Sequence, residues 1–156
     1  MPSATSITLR PARREDVAAI VRLLADDGLG AGREVVSDAP ATGYLEAFEK
    51  IEANPRALLA VAQDGKGRVV GTLQLTFIAG LSNQGAELAL VSAVRVDSEL
   101  RGQRIGETMM NWAIDEARVR GCLHMELFTH LSRVDAQRFY ERLGFVCSHA
   151  GMRRGL

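Results

Sequence analysis

Two arginines and two glycines lie close together in this sequence, where a strand-like segment meets a helix-like one. Arg101, Gly102, Arg104 and Gly106 fall within VRVDSELRGQRIGE, residues 94–107. The first four N–H groups of a helix lack partners within it, and the helix dipole makes that end partly positive. Glycine lets a ligand approach the backbone closely, and arginine suits phosphate oxygens. The segment therefore predicts a phosphate or pyrophosphate site built mainly from main-chain donors, with an ordinary turn and solvated arginines as the alternative.

The remaining ligand motifs in the sequence are weaker. There is no G-x-x-x-x-G-K-[ST], and GLGAGR at 28–33 has Arg33 in place of the last glycine of G-x-G-x-x-G. Two Cys-x-His pairs contain residue types that bind zinc, but their spacing matches no zinc module, so we predict no metal site. These pairs are Cys122 with His124 and Cys147 with His149.

Composition narrows the class of protein. Nineteen acidic and nineteen basic residues, with a pI near 6.8, argue against a nucleic-acid binder that relies on phosphate contacts. No apolar run is long enough to span a membrane, and the first residues do not resemble a signal peptide. Two cysteines are too few for a disulfide framework, so we predict a cytoplasmic protein.

Hydrophobic periodicity predicts the order β-α-α-β-β-β-α-β-α-β in one domain, residues 1–156. The helical crossover between the fourth and fifth strands predicts that those two strands are parallel, so the sheet is mixed α/β. Segment 26–40 has no clear period and is predicted to be a mobile loop. The predicted strands cover residues 6–10, 57–63, 68–78, 87–96, 123–129 and 145–149, with helices from Glu15, from Thr42, from Ile105 to Gly121, and over 134–143.

The segment at 94–107 resembles motif A of the GNAT superfamily, the GCN5-related N-acetyltransferases, in which [QR]-x-x-G-x-[GA] follows a strand. Arg101, Gln103 and Gly106 fit that pattern, whereas Arg104 stands where the first glycine usually lies. An arginine fits there if its backbone has ordinary helical dihedral angles. A second segment, DAQRFYERLGF at 135–145, is similar to motif B of the same family. The resemblance implies a mixed sheet of six to seven strands flanked by about four helices, with strands four and five splayed apart.

The resemblance also implies that acetyl-CoA binds as a co-substrate between those two strands. Backbone groups of Val94 and Val96 would contact the pantetheine arm, and the turn and helix start would hold the pyrophosphate. The residues implied at the helix start are Arg101, Gly102, Gln103, Arg104, Ile105, Gly106 and Glu107. The acetyl group would pass directly to a deprotonated amine. This requires a neutral amine, a donor for the oxyanion and a proton for the leaving thiolate.

Tyr140 matches the tyrosine that donates this proton in many family members, although it also fits an apolar cluster around Gly144. The general base is open among three candidates. Glu87 is the nearest carboxylate on the fourth strand, and Glu126 lies on the fifth, facing either the cleft or solvent. A water chain that ends at one of these or in the 26–40 loop is the third.

The sequence thus predicts an acetyl-CoA-dependent N-acetyltransferase for the primary amine of a small molecule, as a homodimer with no nucleic-acid or membrane partner. The alternative is a non-catalytic CoA-binding or regulatory module, and a phosphate-binding domain that uses no CoA is a third possibility. Segment 133–140 also resembles bacterial aminoalkylphosphonate N-acetyltransferases. The chain lacks the acidic residues of that branch on the fourth strand, so its substrate does not carry over.

Overall fold

Five strands form one sheet in the order β1-β2-β3-β4-β5 in the computed structural model, which describes residues 6–156. Strands β1 to β4 pair antiparallel, and β5 lies parallel to β4 after a helical crossover. Two 3-10 segments, Arg14–Asp16 and Ser98–Leu100, precede helices. The elements are β1 Thr8–Pro11, α1 Val17–Ala25, α2 Thr42–Glu52, β2 Ala57–Gln63, β3 Val69–Ile78, the single turn α3 Ser82–Gly85, β4 Leu88–Val96, α4 Ile105–Val119, β5 Met125–Leu127 and α5 Val134–Arg142.

The predicted mixed α/β sheet is confirmed, but the strand count differs from the predicted six to seven, because residues 6–156 form a sheet of five strands. The predicted last strand at 145–149 is not formed. Instead, the N–H of Phe145 donates to the carbonyl of Tyr140 at 3.1 Å, and residues 146–150 are exposed. The N–H of Phe145 therefore bonds to the end of α5, so it cannot pair with a neighbouring strand.

An extra residue in β4 interrupts its pairing with β3. Thr72 of β3 lies opposite Arg95, but Gln74 lies opposite Ser92, so β4 advances three residues while β3 advances two. Ala93, within this stretch, has φ of +52°. The left-handed region costs an L-residue about 1–2 kcal/mol. This arrangement is a β-bulge, which bends a strand and redirects the side chains that follow it.

Helices cover both faces of the sheet near β3. Consecutive residues of a strand point to opposite faces, and the run from Val70 to Leu73 is buried throughout. Helix α1 packs against β3 and β4 with four buried side chains, and α4 contacts the same two strands. The buried residues of α4 recur at helical spacing: Ile105, Met109, Met110, Ala113 and Ala117. Burial of a large apolar side chain such as Ile105 or Met109 stabilises the folded protein by about 1.5–3 kcal/mol. These residues therefore hold the first turns of α4 against the sheet.

The chain divides into two units, one that ends at Glu126 and one that spans Leu127–Leu156. In the second unit, α5 ends at a left-handed glycine, Gly144, with φ of +90°. The N–H of Gly144 donates to the carbonyl of Glu141 at 3.0 Å, beside the bond from Phe145 to Tyr140. The Tyr140 and Phe145 rings lie 5.9 Å apart in an edge-to-face arrangement. The predicted helix stop and the accompanying aromatic contact are confirmed.

Gly71→Ala is expected to lower the free energy of unfolding by about 1–3 kcal/mol. A Cβ at this position would lie 2.5 Å from Sδ of Met109 and 3.1 Å from the carbonyl oxygen of Arg95. Met109 is fully buried, so its sulfur has little room to move. Urea unfolding measures the change. Gly80→Ala is the control, because a Cβ there meets nothing within 4 Å. Equal losses in both variants would contradict the close-approach argument.

Candidate functional site

The start of α4 follows β4 after the 3-10 segment and a short turn, and its first N–H groups precede the first hydrogen bond within the helix. The first helical hydrogen bond runs from Thr108 N–H to the carbonyl of Arg104 at 3.0 Å, so the N–H groups of residues 105–107 precede it. The turn before them passes through Gly102, whose φ is +81° and whose Cβ position is open for 4 Å. Ile105 is buried and anchors the helix start. The predicted cofactor residues from 101 to 107 therefore form one continuous turn and helix start, which fits an anionic group.

Arg104 has a left-handed backbone, with φ of +62° and ψ of +14°. The condition under which an arginine would fit here, ordinary helical dihedral angles, is therefore not met. A left-handed residue at this position explains why glycine suits it, because glycine has no Cβ to clash with the following carbonyl oxygen. The chain thus adopts the backbone that a glycine would favour while it carries an arginine.

Both arginine side chains of the turn have protein partners. Arg101 donates from Nη2 to the carbonyl oxygen of Asp26 at 2.9 Å. Arg104 forms a two-point contact with Glu107, from Nε to Oε2 at 2.8 Å and from Nη2 to Oε1 at 2.7 Å. The hydrogen bond with Glu107 raises the pKa of Arg104. Main-chain donors are therefore the principal anion ligands that the turn offers.

Two consecutive aspartates connect the end of α1 to β4 and to the segment that follows it. The Asp26 carboxylate accepts hydrogen bonds from the N–H of Ser98 at 2.9 Å and its Oγ at 3.0 Å. These bonds, the backbone one first, lower the pKa of Asp26. Asp27 forms an ion pair with Nε of Arg95 at 3.0 Å, and the two side chains are only 10% and 14% exposed. Residues 95–101, which lead into the predicted cofactor-binding turn, are thereby attached to the chain just after α1.

The predicted 26–40 loop consists of hydrogen-bonded turns in its first half. Asp27 accepts the N–H of Leu29 at 3.0 Å on its carboxylate and that of Ala31 at 3.0 Å on its carbonyl. Farther along, the Tyr44 hydroxyl accepts from the N–H of Val35 and donates to the carboxylate of Glu34, each at 2.9 Å. Both ends of the turn region are therefore held by side chains.

Val94 and Val96 follow the extra residue Ala93 and are half-buried. Residues two apart in a strand direct their backbone groups to the same edge. Val96 pairs with Gly71 of β3, and β5 on the other side of β4 contains only three residues.

The three predicted catalytic residues lie in different places. Glu87 immediately precedes β4 and accepts hydrogen bonds from Arg56 at 2.8 Å and from Arg120 at 3.2 Å. Seven residues of strand separate it from Val94, about 23 Å, so the structure does not bring Glu87 to the start of α4. Glu126 is exposed on β5, 3.1 Å from Nε2 of His124. Tyr140 lies half-buried on α5 in the second unit.

Sequence reasoning missed Asp26, Asp27 and Arg95 as residues of this region. Arg95 interrupts an otherwise apolar strand pattern, V-R-V, which signals a charge that needs a buried partner. The tandem aspartates at the end of the first helix were the matching signal. Ala93 gives no signal, because alanine has no preference for a left-handed backbone.

Sequence comparison decides the family. A model of the acetyltransferase (GNAT) family matches residues 17–145. The chain belongs to this family. The predicted family is therefore confirmed. Its members are acyltransferases that use acetyl-CoA, and the predicted enzyme class and cofactor agree with this membership.

Individual relatives agree with this assignment. Over 50 residues the chain is 48% identical to the aminoalkylphosphonate N-acetyltransferase of Salmonella typhimurium, and the match covers 32% of each chain. The chain thus spans about a third of the length of this curated relative. A crystal structure described as a transcriptional regulator from Bacillus halodurans is 40% identical, with a TM-score of 0.93 over 97% of this chain and all of the other. An acetyltransferase from Clostridium acetobutylicum crystallised with acetyl-CoA shares the fold, with 17% identity, a TM-score of 0.74 and 96% coverage of both chains.

Two general properties concern the described residues. Within residues 6–156 no helix is long and apolar enough to cross a membrane. In the same range, no three His, Cys, Asp or Glu side chains are grouped to hold a metal ion.

Asp27→Asn is expected to lower the free energy of unfolding by about 3 kcal/mol, because it leaves the Arg95 guanidinium largely buried without an opposite charge. Urea unfolding at pH 7 measures the change. Asp38→Asn is the matched control, since Asp38 pairs with Arg22 at 3.3 Å but is fully exposed. Its unfolding midpoint should not change. A loss in the control as large as that of Asp27→Asn would refute the importance of burial.

Proposed function

We propose that the protein is an acetyl-CoA-dependent N-acetyltransferase that transfers an acetyl group directly to a primary amine of a small molecule. The observation that carries the proposal is the start of α4, where the first N–H groups of a helix come after β4 and a turn at Gly102. The N–H groups of residues 101–106 would hold the pyrophosphate of the cofactor. Backbone groups of Val94 and Val96 would contact its pantetheine arm.

The cofactor supplies an activated thioester when it is bound. The chain must then contribute a proton for the thiolate that leaves, and we assign this role to the hydroxyl of Tyr140. Its ring is held between Phe139, with centroids 5.1 Å apart, and Phe145. A tyrosine can pack its ring against apolar side chains and still direct its hydroxyl to a polar group. Packing and proton donation are therefore compatible at this residue.

For removal of the amine proton, we favour a water chain that ends at Glu126. Its carboxylate is exposed and lies beside His124, a second group able to accept a proton. Glu87 fits a structural role better. Two guanidinium groups surround its carboxylate, and Arg120 also lies over the ring of Phe77 at 4.1 Å from the centroid.

The acceptor, the location and the partners of the protein are each proposed from a separate observation. A small amine as acceptor is supported by the printed function of the Salmonella relative, an aminoalkylphosphonate N-acetyltransferase. A cytoplasmic location fits two free cysteines, Cys122 and Cys147. A homodimer is proposed because dimers are common in the family. The balance of acidic and basic residues supports the absence of a nucleic-acid partner.

A second candidate is a CoA-binding regulatory module without useful catalysis. The Bacillus halodurans structure favours it, because that protein is 40% identical over nearly the whole chain and is described as a transcriptional regulator. The two candidates share cofactor binding and differ in turnover. Thiol release from acetyl-CoA in the presence of a panel of small amines separates them.

Gly106→Trp is expected to abolish acetyl-CoA binding, because a large side chain would fill the space in front of the α4 donors. Calorimetry on the wild type should give a micromolar dissociation constant, about −8 kcal/mol. The control is Asn111→Trp, an exposed position on the same helix. It should bind as the wild type does. A wild type that binds no acetyl-CoA would overturn the proposed function.

Tyr140→Phe is expected to slow turnover by roughly 10²-fold while it leaves acetyl-CoA affinity unchanged, because only the proton donor is removed. Thiol-release kinetics and calorimetry measure the two effects separately. Unchanged turnover would exclude the proton-donor role.

A further inference from the structure

Glu107 places a carboxylate in the first turn of α4. It is the third residue of the helix, and its side chain is 34% exposed. A negative charge at this end stabilises the helix through its dipole. The same charge repels any phosphate that the first N–H groups of α4 bind. A negative charge at residue 107 is therefore favourable for the helix and unfavourable for binding of its proposed ligand.

Arg104 provides the opposite charge at this point. Its guanidinium holds both carboxylate oxygens of Glu107 at 2.7 and 2.8 Å. Two-point contacts of this kind orient the two groups and bring the charges as close as hydrogen bonding allows. The pair together carries no net charge, so a phosphate nearby meets a dipole rather than a carboxylate.

Neither capping nor backbone preference accounts for an arginine at position 104. The residue precedes the helix, but its side chain makes no cap hydrogen bond. Its backbone is left-handed, which disfavours every side chain with a Cβ. Elsewhere the helix ends followed by a left-handed residue use glycine, at Gly121 and Gly144. An arginine at this position therefore opposes the local backbone, and a residue of this kind points to a functional cause.

We propose that Arg104 is a charge-compensating residue, which neutralises Glu107 so that the start of α4 can bind the phosphate groups of CoA. This inference rests on the proposed function. It names the pair, and not a direct contact from Arg104 to the ligand, as the cause of affinity. Arg104 is accordingly a positioning residue for charge and not a catalytic residue.

Three variants test the proposal by calorimetry with acetyl-CoA: Arg104→Gly, Glu107→Gln and the double variant. Arg104→Gly should weaken binding roughly tenfold, because Glu107 loses the positive charge of Arg104 beside the phosphates. Glu107→Gln should strengthen binding several-fold. The double variant should return to within about threefold of the wild type, because it removes both charges. A double variant as weak as Arg104→Gly would mean that Arg104 contacts the phosphate directly, and would overturn the proposal.

The phosphate groups are distinguished by the ligand. The weakening in Arg104→Gly should be largest with acetyl-CoA, smaller with its 3′-dephospho form, and absent with S-acetylpantetheine, which carries no phosphate. The same weakening with all three ligands would contradict a charge effect. Arg118→Gln is the control, since Arg118 pairs with Asp115 at 3.1 Å on the same helix and both are exposed. It should bind all ligands as the wild type does.

A readout without ligand tests the backbone argument. Arg104→Gly should raise the unfolding temperature of the free protein by roughly 2–4 °C, because glycine relieves the left-handed strain. A lower unfolding temperature together with unchanged affinity would make the pair a stability device and would refute the proposal. If the wild type itself binds no acetyl-CoA, the proposed function fails. If the wild type and all variants bind equally, only this inference fails.

Discussion

The extra residue in β4 is the constraint on which the arrangement of this region depends. Side chains alternate between the two faces of a strand, so one additional residue reverses the direction of every side chain that follows. Downstream of Ala93, the inserted residue decides the direction of Arg95 and the edge to which Val94 and Val96 present their backbone groups. It also decides where β4 ends and the turn into α4 begins. The left-handed alanine is therefore a local cost, about 1–2 kcal/mol, that the rest of the strand requires.

The ion pair between Arg95 and Asp27 follows from that reversal. A buried pair adds little net stability compared with apolar packing, but breaking it leaves an uncompensated charge. The ion pair therefore mainly disfavours other pairing registers of β4, because a shift of the strand by one residue would separate the Arg95 and Asp27 charges. Asp26 adds bonds to Ser98 and, through its carbonyl, to Arg101. Together these contacts make the first turns after α1 and the turn before α4 one connected region.

Local sequence rules accounted for much of the fold. Helical spacing located α1 and α4, and the glycine after Leu143 predicted the end of α5 together with its aromatic contact. The predicted last strand is not formed, because the N–H of Phe145 donates to the carbonyl of Tyr140 at the end of α5 and is not available to a neighbouring strand. The bulge could not be predicted, because alanine gives no signal for a left-handed backbone. The sequence signals a buried partner for Arg95, but it does not identify Asp27 as that partner, because the two residues are distant in sequence. Motif spacing predicted the cofactor-binding residues, but spacing carries no dihedral angles, so it gave no sign of the left-handed backbone of Arg104.

Strain in the described chain is concentrated where chemistry is proposed. Four non-glycine residues have left-handed backbones, and two of them, Ala93 and Arg104, flank the passage from β4 into α4. The other two, Asn83 and Gln84, lie in the exposed single turn α3, where a tight reversal accounts for them. One of these departures lies within β4 and the other immediately before α4, so both shape the backbone that leads into the helix. The left-handed backbone directs the first N–H groups of α4 to the same side of the turn. An arginine is unfavourable with this backbone, but its positive charge compensates the carboxylate of Glu107.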